Sequence, residues 1–173
     1  MTIKSIFPLK EHVLTGDFVN FDNFFPIATI ELNDNGQPVP VHVLYTFFQG
    51  SNADESNFLD KEYGGSFSLD LIDNYCRPTF RAEALKINED YKEFLDESKM
   101  KYKSAIERYK FAPVQFAKEP EWWQGDDTPV DEQGKSLRFI CQVDLMDLVD
   151  DDCRLYVFYD SRNKRVKNVY QRD

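Results

Sequence analysis

The chain has 173 residues, of which 42% are hydrophobic and 30% charged, and its formal net charge is −10. This length predicts a single domain over residues 1–173, and the composition is that of a globular protein, which argues against disorder. The negative charge argues against phosphate backbones and anionic lipids, so we expect neither a nucleic-acid nor a membrane partner. Because no long apolar run and no C-x-x-C pair occur, we expect a reduced, cytoplasmic protein.

The first third of the chain predicts a β-hairpin. Residues 25–32 form one apolar strand pattern, and residues 39–48 form a second one rich in β-branched and aromatic side chains. Asn35 and Gly36 lie between them, and this dipeptide is typical of a tight hairpin turn. Two prolines open the second strand and cannot donate to a ladder, so we expect that strand at a sheet edge.

The middle of the chain predicts a loop, a short strand and a helix. Residues 49–57 are polar and favour a loop, and two glycines at 64–65 predict a turn into a strand at 66–69. Apolar residues then recur near the 3.6-residue period, which predicts one long amphipathic helix over residues 87–110, packed on the sheet. A start at Glu89 is the alternative, because the preceding asparagine is a good cap. Tyrosines on the buried stripe indicate core packing, with either a partly wet seam or hydroxyls bonded to the sheet backbone.

The last third of the chain predicts three more strands, over residues 136–143, 153–160 and 165–171. The last of these mixes basic and apolar residues, which is typical of an antiparallel strand with one wet face. Because strands cluster at both ends of the chain with one helix between them, we predict an α+β fold with largely antiparallel sheets.

Charge is unevenly spread along the C-terminal third. Residues 119–152 carry eleven acidic and two basic side chains, whereas residues 153–173 carry six basic and two acidic ones. An acidic block beside a basic tail predicts that the two segments face one another in the fold.

Glutamine recurs at the ends of apolar strands. The three positions are Gln49, Gln142 and Gln171. A remnant of internal duplication and a chance coincidence both explain this pattern.

The segment at 120–129, PEWWQGDDTP, holds both tryptophans of the chain, two prolines and three carboxylates. So polar a segment does not form a core, yet tryptophan is costly to leave in water. The pattern therefore indicates a loop that either tucks against the domain or meets a partner. Because adjacent side chains point in different directions, we expect one buried and one exposed indole. The candidate binding residues are Trp122, Trp123, Gln124, Asp126, Asp127 and Gln142.

A second hypothesis concerns the carboxylates that follow. Asp144, Asp147, Asp150 and Asp151 would share one face if their segment were helical, and oxygen ligands suit Mg²⁺ or Ca²⁺. A solvated connection before a strand explains the same residues. No nucleophile motif accompanies either histidine, so the sequence predicts no catalytic residue, no metal ligand and no cofactor.

The C-terminal part also resembles a known family. The resemblance is carried by PEWWQGD at 120–126, RFICQVD at 138–144, and a closing hairpin with LYVFYD at 155–160 and NVYQ at 168–171. In these features residues 120–173 are similar to the YwqG-like family, a domain of unknown function (DUF1963). The resemblance implies a soluble α+β bacterial protein, and it brings no agreed activity and no catalytic residues.

The sequence supports three functional hypotheses. The preferred one is a non-enzymatic protein- or ligand-binding module, whose acidic, tryptophan-bearing surface meets a basic protein or peptide. The second is a small-molecule or metal-dependent hydrolase that uses the carboxylates of residues 126–151. The third is a structural subunit that self-associates through the aromatic strands near Tyr156 and Tyr170. The oligomeric state stays open.

Overall fold

The computed structural model describes residues 1–51 and 65–172, which form two antiparallel sheets and one long helix. The strands are β1 (Thr2–Ile6), β2 (Phe24–Asp34), β3 (Gln37–Thr46), β4 (Ser66–Ile72), β5 (Tyr75–Pro78), β6 (Arg138–Asp144), β7 (Cys153–Asp160) and β8 (Arg165–Arg172). The helix, α1, spans Lys92–Arg108, and short 3-10 turns occur at Lys10–His12, Gly16–Asn20, Ala82–Leu85 and Glu89–Tyr91. The predicted α+β class with antiparallel sheets is therefore confirmed.

The first sheet has the order β1-β2-β3 and contains the predicted hairpin. Asn35 and Gly36 both adopt positive φ, at 53° and 85°, as a type I′ turn requires. The Asn33 side chain accepts a hydrogen bond from Gly36 N at 2.8 Å. Strand β3 lies at the edge, as its two prolines predict, because no described strand pairs with its outer side.

The second sheet has the order β5-β4-β8-β7-β6, which places β8 at its centre. The expectation of one wet face on β8 is wrong. Lys167 is only 7% exposed and Asn168 is fully buried, because β8 is the central strand and has a strand on each side. Asn168 lies on the inner face and donates from Nδ2 to the Leu44 carbonyl of β3 at 3.4 Å.

The main hydrophobic core lies between the two sheets. It joins inward-facing side chains of β2 and β3, such as Ile30 and Val43, to those of β7 and β8, such as Val157 and Val166. Alternation along each strand then directs the intervening residues of the second sheet outward. This second surface is the outer face, and the candidate site lies on it.

Helix α1 begins later than the predicted residue 87. Asn88 N donates to the Gly50 carbonyl at 2.8 Å, and Ile87 forms an isolated bridge with Ser51, so this stretch stays extended. Gly50 has a φ of 63°, and a Cβ there would lie 2.1 Å from the Tyr91 ring. The chain therefore passes too close to Gly50 for a larger residue, and the helix starts beyond that crossing.

Helix α1 packs on β2 through aromatic side chains. The Tyr102 ring lies edge-on to Phe25 at 5.2 Å and to Phe7 at 5.7 Å. The Tyr102 hydroxyl donates to the Pro26 carbonyl of β2. Burial of this hydroxyl raises its pKa. The expected bond between a helix tyrosine and the sheet backbone is therefore present.

Part of the predicted loop at 49–57 and of the glycine turn at 64–65 lies outside the described residues. The strand predicted at 66–69 is confirmed as the first part of β4. Within residues 1–51 and 65–172, no helix is long and apolar enough to span a membrane.

His42 of β3 is a buried structural histidine. Its Nε2 lies 2.7 Å from the Asn74 carbonyl, so Nε2 donates. Its Nδ1, 3.0 Å from the Thr29 hydroxyl, then accepts. Burial lowers the pKa of His42, which is consistent with this neutral tautomer.

We predict that His42 makes the protein less stable in mild acid. The ordinary pKa of histidine is 6.5, so below that pH the unfolded chain binds a proton that the folded chain disfavours. Stability is therefore full above this value and declines as the pH falls towards the lower folded pKa. Between about pH 8 and pH 5, where most carboxylates stay ionised, the free energy of unfolding should fall by on the order of 1 kcal/mol.

Denaturant titrations at several pH values check this prediction. His42→Gln should remove the decline, whatever its effect on stability at neutral pH. His12→Gln is the matched control, because it removes the other, exposed histidine and should leave the decline intact. An unchanged pH dependence in His42→Gln would contradict the assignment.

Candidate functional site

The outer face of the second sheet carries a small apolar cluster of its own. Tyr156, Phe158 and Val169 are buried there, separate from the main core. Trp122 packs against this cluster from above, so the loop that holds it covers the sheet. We call residues 119–132 the tryptophan loop.

Gln142 of β6 fastens the start of the tryptophan loop. Its side chain is fully buried, and its Oε1 accepts from Glu121 N at 2.9 Å. Its Nε2 donates to Glu121 Oε2 at 2.9 Å and to Gln115 Oε1 at 3.0 Å. Backbone bonds in both directions between Gln115 and Gln142 complete the attachment.

Gln171 of β8 fastens the middle of the loop in the same manner. It is 2% exposed, and its Oε1 accepts from Trp123 N at 2.9 Å and from Gln124 N at 3.1 Å. Its Nε2 donates to the Gly125 carbonyl at 2.8 Å and to Asp127 Oδ2 at 2.7 Å. Both donors and both acceptor positions of the amide are therefore used.

Tyr156 adds a third attachment between these glutamines. Its hydroxyl donates to the Glu121 carbonyl at 2.8 Å and accepts from Trp123 N at 3.1 Å. Burial raises the pKa of this hydroxyl, and so it remains protonated and able to donate. The loop thus lies on the sheet through side chains of three different strands.

The two indoles are both half-buried, so the expectation of one buried and one exposed tryptophan is wrong. Trp122 lies on the Tyr156 ring, with centroids 4.3 Å apart, and is stacked near Phe158 at 6.0 Å. Trp123 has the Arg154 guanidinium 4.7 Å above its ring. Each indole covers a side chain of the sheet with part of its surface and presents the remainder to solvent.

The structure brings the six candidate binding residues together. Gln124 donates from Nε2 to the Arg172 carbonyl, which ties the loop to the end of β8. Asp126 is exposed, and hydrogen bonds from the side chain and backbone of Thr128 lower its pKa. Asp127 accepts from Gln171, whereas Gln142 lies beneath Glu121. Their binding role stays a prediction, because these contacts describe only how the loop is held.

The sequence did not lead us to the side chains of the second sheet that anchor the tryptophan loop. Gln171 and Tyr156 carry most of these bonds, and Arg154 supplies the cation over Trp123. The recurrence of glutamine at strand ends was a usable signal for two of these anchors, Gln142 and Gln171. Their common task is to satisfy backbone groups of one loop.

The aspartates at 144–151, which the hydrolase hypothesis places in one site, contact different partners. Asp151 is buried and forms two bonds with Arg172, at 3.0 and 3.2 Å, and it accepts from the Tyr45 hydroxyl at 2.6 Å. Asp150 pairs with Lys101 of α1 at 3.0 Å. Asp144 lies 3.7 Å from Arg154, so two of these acids do meet the basic tail as predicted. The described residues contain no group of three or more metal-ligating side chains.

The three cysteines are buried free thiols. Burial raises the pKa of Cys76 and of Cys153 to about 12 and raises that of Cys141 as well. A thiol must lose its proton to act as a nucleophile, so these side chains behave as small apolar groups.

We predict that Gln171→Ala releases the tryptophan loop. Two backbone groups, Gln124 N and the Gly125 carbonyl, and the Asp127 carboxylate would lose their partner. Trp123 N would keep only its bond to the Tyr156 hydroxyl. The expected cost is about 2 to 4 kcal/mol in the free energy of unfolding. Because the loop holds both tryptophans of the chain, their fluorescence should shift to longer wavelength as the indoles become wetter. Gln133→Ala is the matched control, since the Gln133 side chain makes no hydrogen bond within the described residues. Wild-type fluorescence in Gln171→Ala would contradict the anchoring role.

Comparisons with known proteins complete the description of the site. A scan against family models, a search of curated proteins and a search of solved structures found no match to this chain. The resemblance of residues 120–173 to the YwqG-like family therefore stays a prediction.

Proposed function

We propose that this chain is a non-enzymatic, cytoplasmic binding module that recognises a basic segment of a partner protein through the tryptophan loop. The observation that carries the proposal is the state of the two indoles. Both are only half-buried, on a loop whose residues 121–125 are held by hydrogen bonds from side chains of the sheet beneath it. A loop that served only to cover the sheet would have no need to keep two tryptophans at the surface.

Anchoring by buried side chains favours recognition because it reduces the entropy lost on binding. The backbone of residues 121–125 is fixed by Gln142, Tyr156 and Gln171 before any partner arrives. A pre-ordered loop does not have to be immobilised by its ligand, which saves part of the ordinary cost of association. Tryptophan is also among the residues that most often dominate binding energy at interfaces.

Charge favours a basic partner. Residues 119–132 contain six carboxylates and no lysine or arginine. Glu119 and Asp126 are exposed at the surface of the loop, where they attract cations over a distance of roughly a Debye length. A basic segment would be drawn to this surface and then held by contacts with the indoles.

Arg154 shows how such a contact is built within the chain itself. Its guanidinium lies 4.7 Å over the Trp123 ring, while its Nη1 donates to the Glu121 carbonyl at 3.2 Å. An arginine of a partner would combine the same two elements, an indole face and an oxygen acceptor, at the exposed part of the loop. This pairing supports arginine as the preferred side chain of the partner.

The family expectation belongs to this proposal. The three segments that resemble the YwqG-like family, 120–126, 138–144 and the closing hairpin, form one unit joined by Gln142 and Gln171. The subunit hypothesis has less support, because Tyr156 is fully buried and Tyr170 is 5% exposed. Neither ring is available to a second copy of the chain.

We predict that an arginine-rich peptide of about nine residues binds the loop and changes tryptophan fluorescence. Glu119→Lys combined with Asp126→Lys should weaken this binding about tenfold or more, because two attractive charges become repulsive. Glu97→Lys combined with Glu107→Lys on α1 is the matched control. It changes the net charge equally at exposed positions away from the loop and should alter the affinity about twofold at most.

Titrations followed by tryptophan fluorescence, at about 0.05 M and about 0.3 M salt, check the prediction. Thermal melts of both double variants establish that each is folded. The proposal fails if the peptide leaves the fluorescence unchanged. It also fails if both double variants lose the same affinity, since that result would show a general attraction to an acidic protein.

A further inference from the structure

A cavity of about 480 Å³ opens on the outer face of the second sheet, next to the tryptophan loop. Its floor is formed by Ser68 of β4, Asp160 of β7, and Arg165 and Lys167 of β8. Its wall is the segment 130–137, which returns from the tryptophan loop to β6 and crosses over the sheet. We call this space the outer-face cavity. Its volume lies within the range of roughly 300 to 1,000 Å³ that is typical of small-molecule sites.

The strand register explains why both cations lie on the floor. Arg165 and Lys167 are two residues apart on β8, so their side chains leave the same face of the sheet. Lys167 is paired with Ser68 of β4, and Arg165 is paired with Asp160 of β7. The floor thus carries two positive charges on its central strand.

The floor carboxylate is committed to the turn between β7 and β8. Asp160 Oδ1 accepts from Arg162 N at 3.0 Å and from Asn163 N at 3.1 Å. Its Oδ2 accepts from Asn163 Nδ2 at 2.8 Å. Asp160 is 8% exposed, and both of its carboxylate oxygens already accept hydrogen bonds within the turn, so we do not assign it a ligand contact.

Arg165 has donors to spare. Its Nε donates to Asp70 Oδ1 at 2.8 Å, and this bond fixes the side chain on the floor. Within residues 1–51 and 65–172, neither of its Nη atoms donates a hydrogen bond to the protein. Since two Nη groups in one plane match the geometry of a carboxylate or phosphate, Arg165 is suited to an anionic group.

The wall of the cavity is acidic. Asp131 Oδ1 accepts from Gln133 N and Lys135 N, both at 2.9 Å, and these bonds hold the carboxylate in place. Its Oδ2 accepts no hydrogen bond from the part of the chain that the structure describes. Glu132 beside it is exposed and lines the cavity. The hydrogen bond from Lys135 N lowers the pKa of Asp131, so the Asp131 carboxyl is ionised at neutral pH.

We propose that the outer-face cavity binds a small zwitterion, whose anionic group lies on Arg165 and whose ammonium group lies against Asp131 and Glu132. A ligand with negative charge alone would meet the acidic wall, and one with positive charge alone would meet the cations of the floor. Only a molecule with both charges matches both sides. This site adjoins the proposed peptide surface, because residues 130–132 end the tryptophan loop and line the cavity. It differs from that surface, because neither Trp122 nor Trp123 lines the cavity.

Three ω-amino acids of increasing length, glycine, γ-aminobutyrate and ε-aminohexanoate, are the probes, and nuclear magnetic resonance titration is the measurement. At least one of them should bind with millimolar affinity. Two analogues of the same length as the best probe, one without the amine and one without the carboxylate, are tested beside it. Each should bind at least about tenfold more weakly than that probe. The shifted resonances should include those of Arg165 and Glu132.

Two variants locate the site. Arg165→Gln and Glu132→Gln should each weaken the binding of the best probe about tenfold. Glu132 is exposed and makes no hydrogen bond within the described residues, so its variant keeps the fold even if Arg165→Gln does not. Arg81→Gln and Glu83→Gln are the matched controls, because both residues are exposed and lie outside the cavity.

Three results would overturn the proposal: no probe binds, a singly charged analogue binds as well as the zwitterion, or Glu132→Gln binds like the wild-type protein. Loss of peptide binding in the Glu119 and Asp126 double variant has no bearing on these outcomes, since neither residue lines the cavity.

Discussion

The outer face of this protein depends on two buried glutamine amides. A sheet face that carries Tyr156, Phe158 and Val169 has to be covered, and an irregular loop that covers it brings unpaired backbone groups with it. Glutamine is suited to this task because one neutral side chain both donates and accepts. A carboxylate at either position would accept but could not donate to Gly125 or Gln115, and an apolar residue would leave the loop backbone unsatisfied.

Buried carboxylates play a related part between the sheets. Asp151 is held by Arg172 and by the Tyr45 hydroxyl, so it joins the end of β8 to β3. Asp34 at the end of β2 is held by Lys164 and by the Tyr159 hydroxyl, and these bonds lower its pKa. In each case a tyrosine from the opposite sheet completes the bonding of the charged pair. Removal of one partner would leave a buried charge unpaired. This would lower the free energy of unfolding by far more than the intact pair contributes to it.

The elements that sequence reasoning predicted are those set by local pattern. The hairpin around Asn35 and the strand at 153–160 follow from side-chain alternation and turn chemistry, which act within a few residues. The start of α1 was misplaced because the deciding contact, between Asn88 and Gly50, links distant positions. The burial of Lys167 likewise depends on the central place of β8, and strand order cannot be read from the strand itself.

The same distinction applies to the candidate site. Composition was enough to indicate a loop with two tryptophans and many carboxylates, but not which acids the fold uses. Hydrogen bonds divide the acids of residues 119–152: Asp127 and Asp151 satisfy groups of the protein, whereas Glu119 and Glu132 are exposed with no bond in the described part of the chain. Charge alone treats these four residues as equivalent. Of these four residues, only Glu119 and Glu132 are available to a partner. The surface that attracts a partner is therefore smaller than the acidic block of residues 119–152.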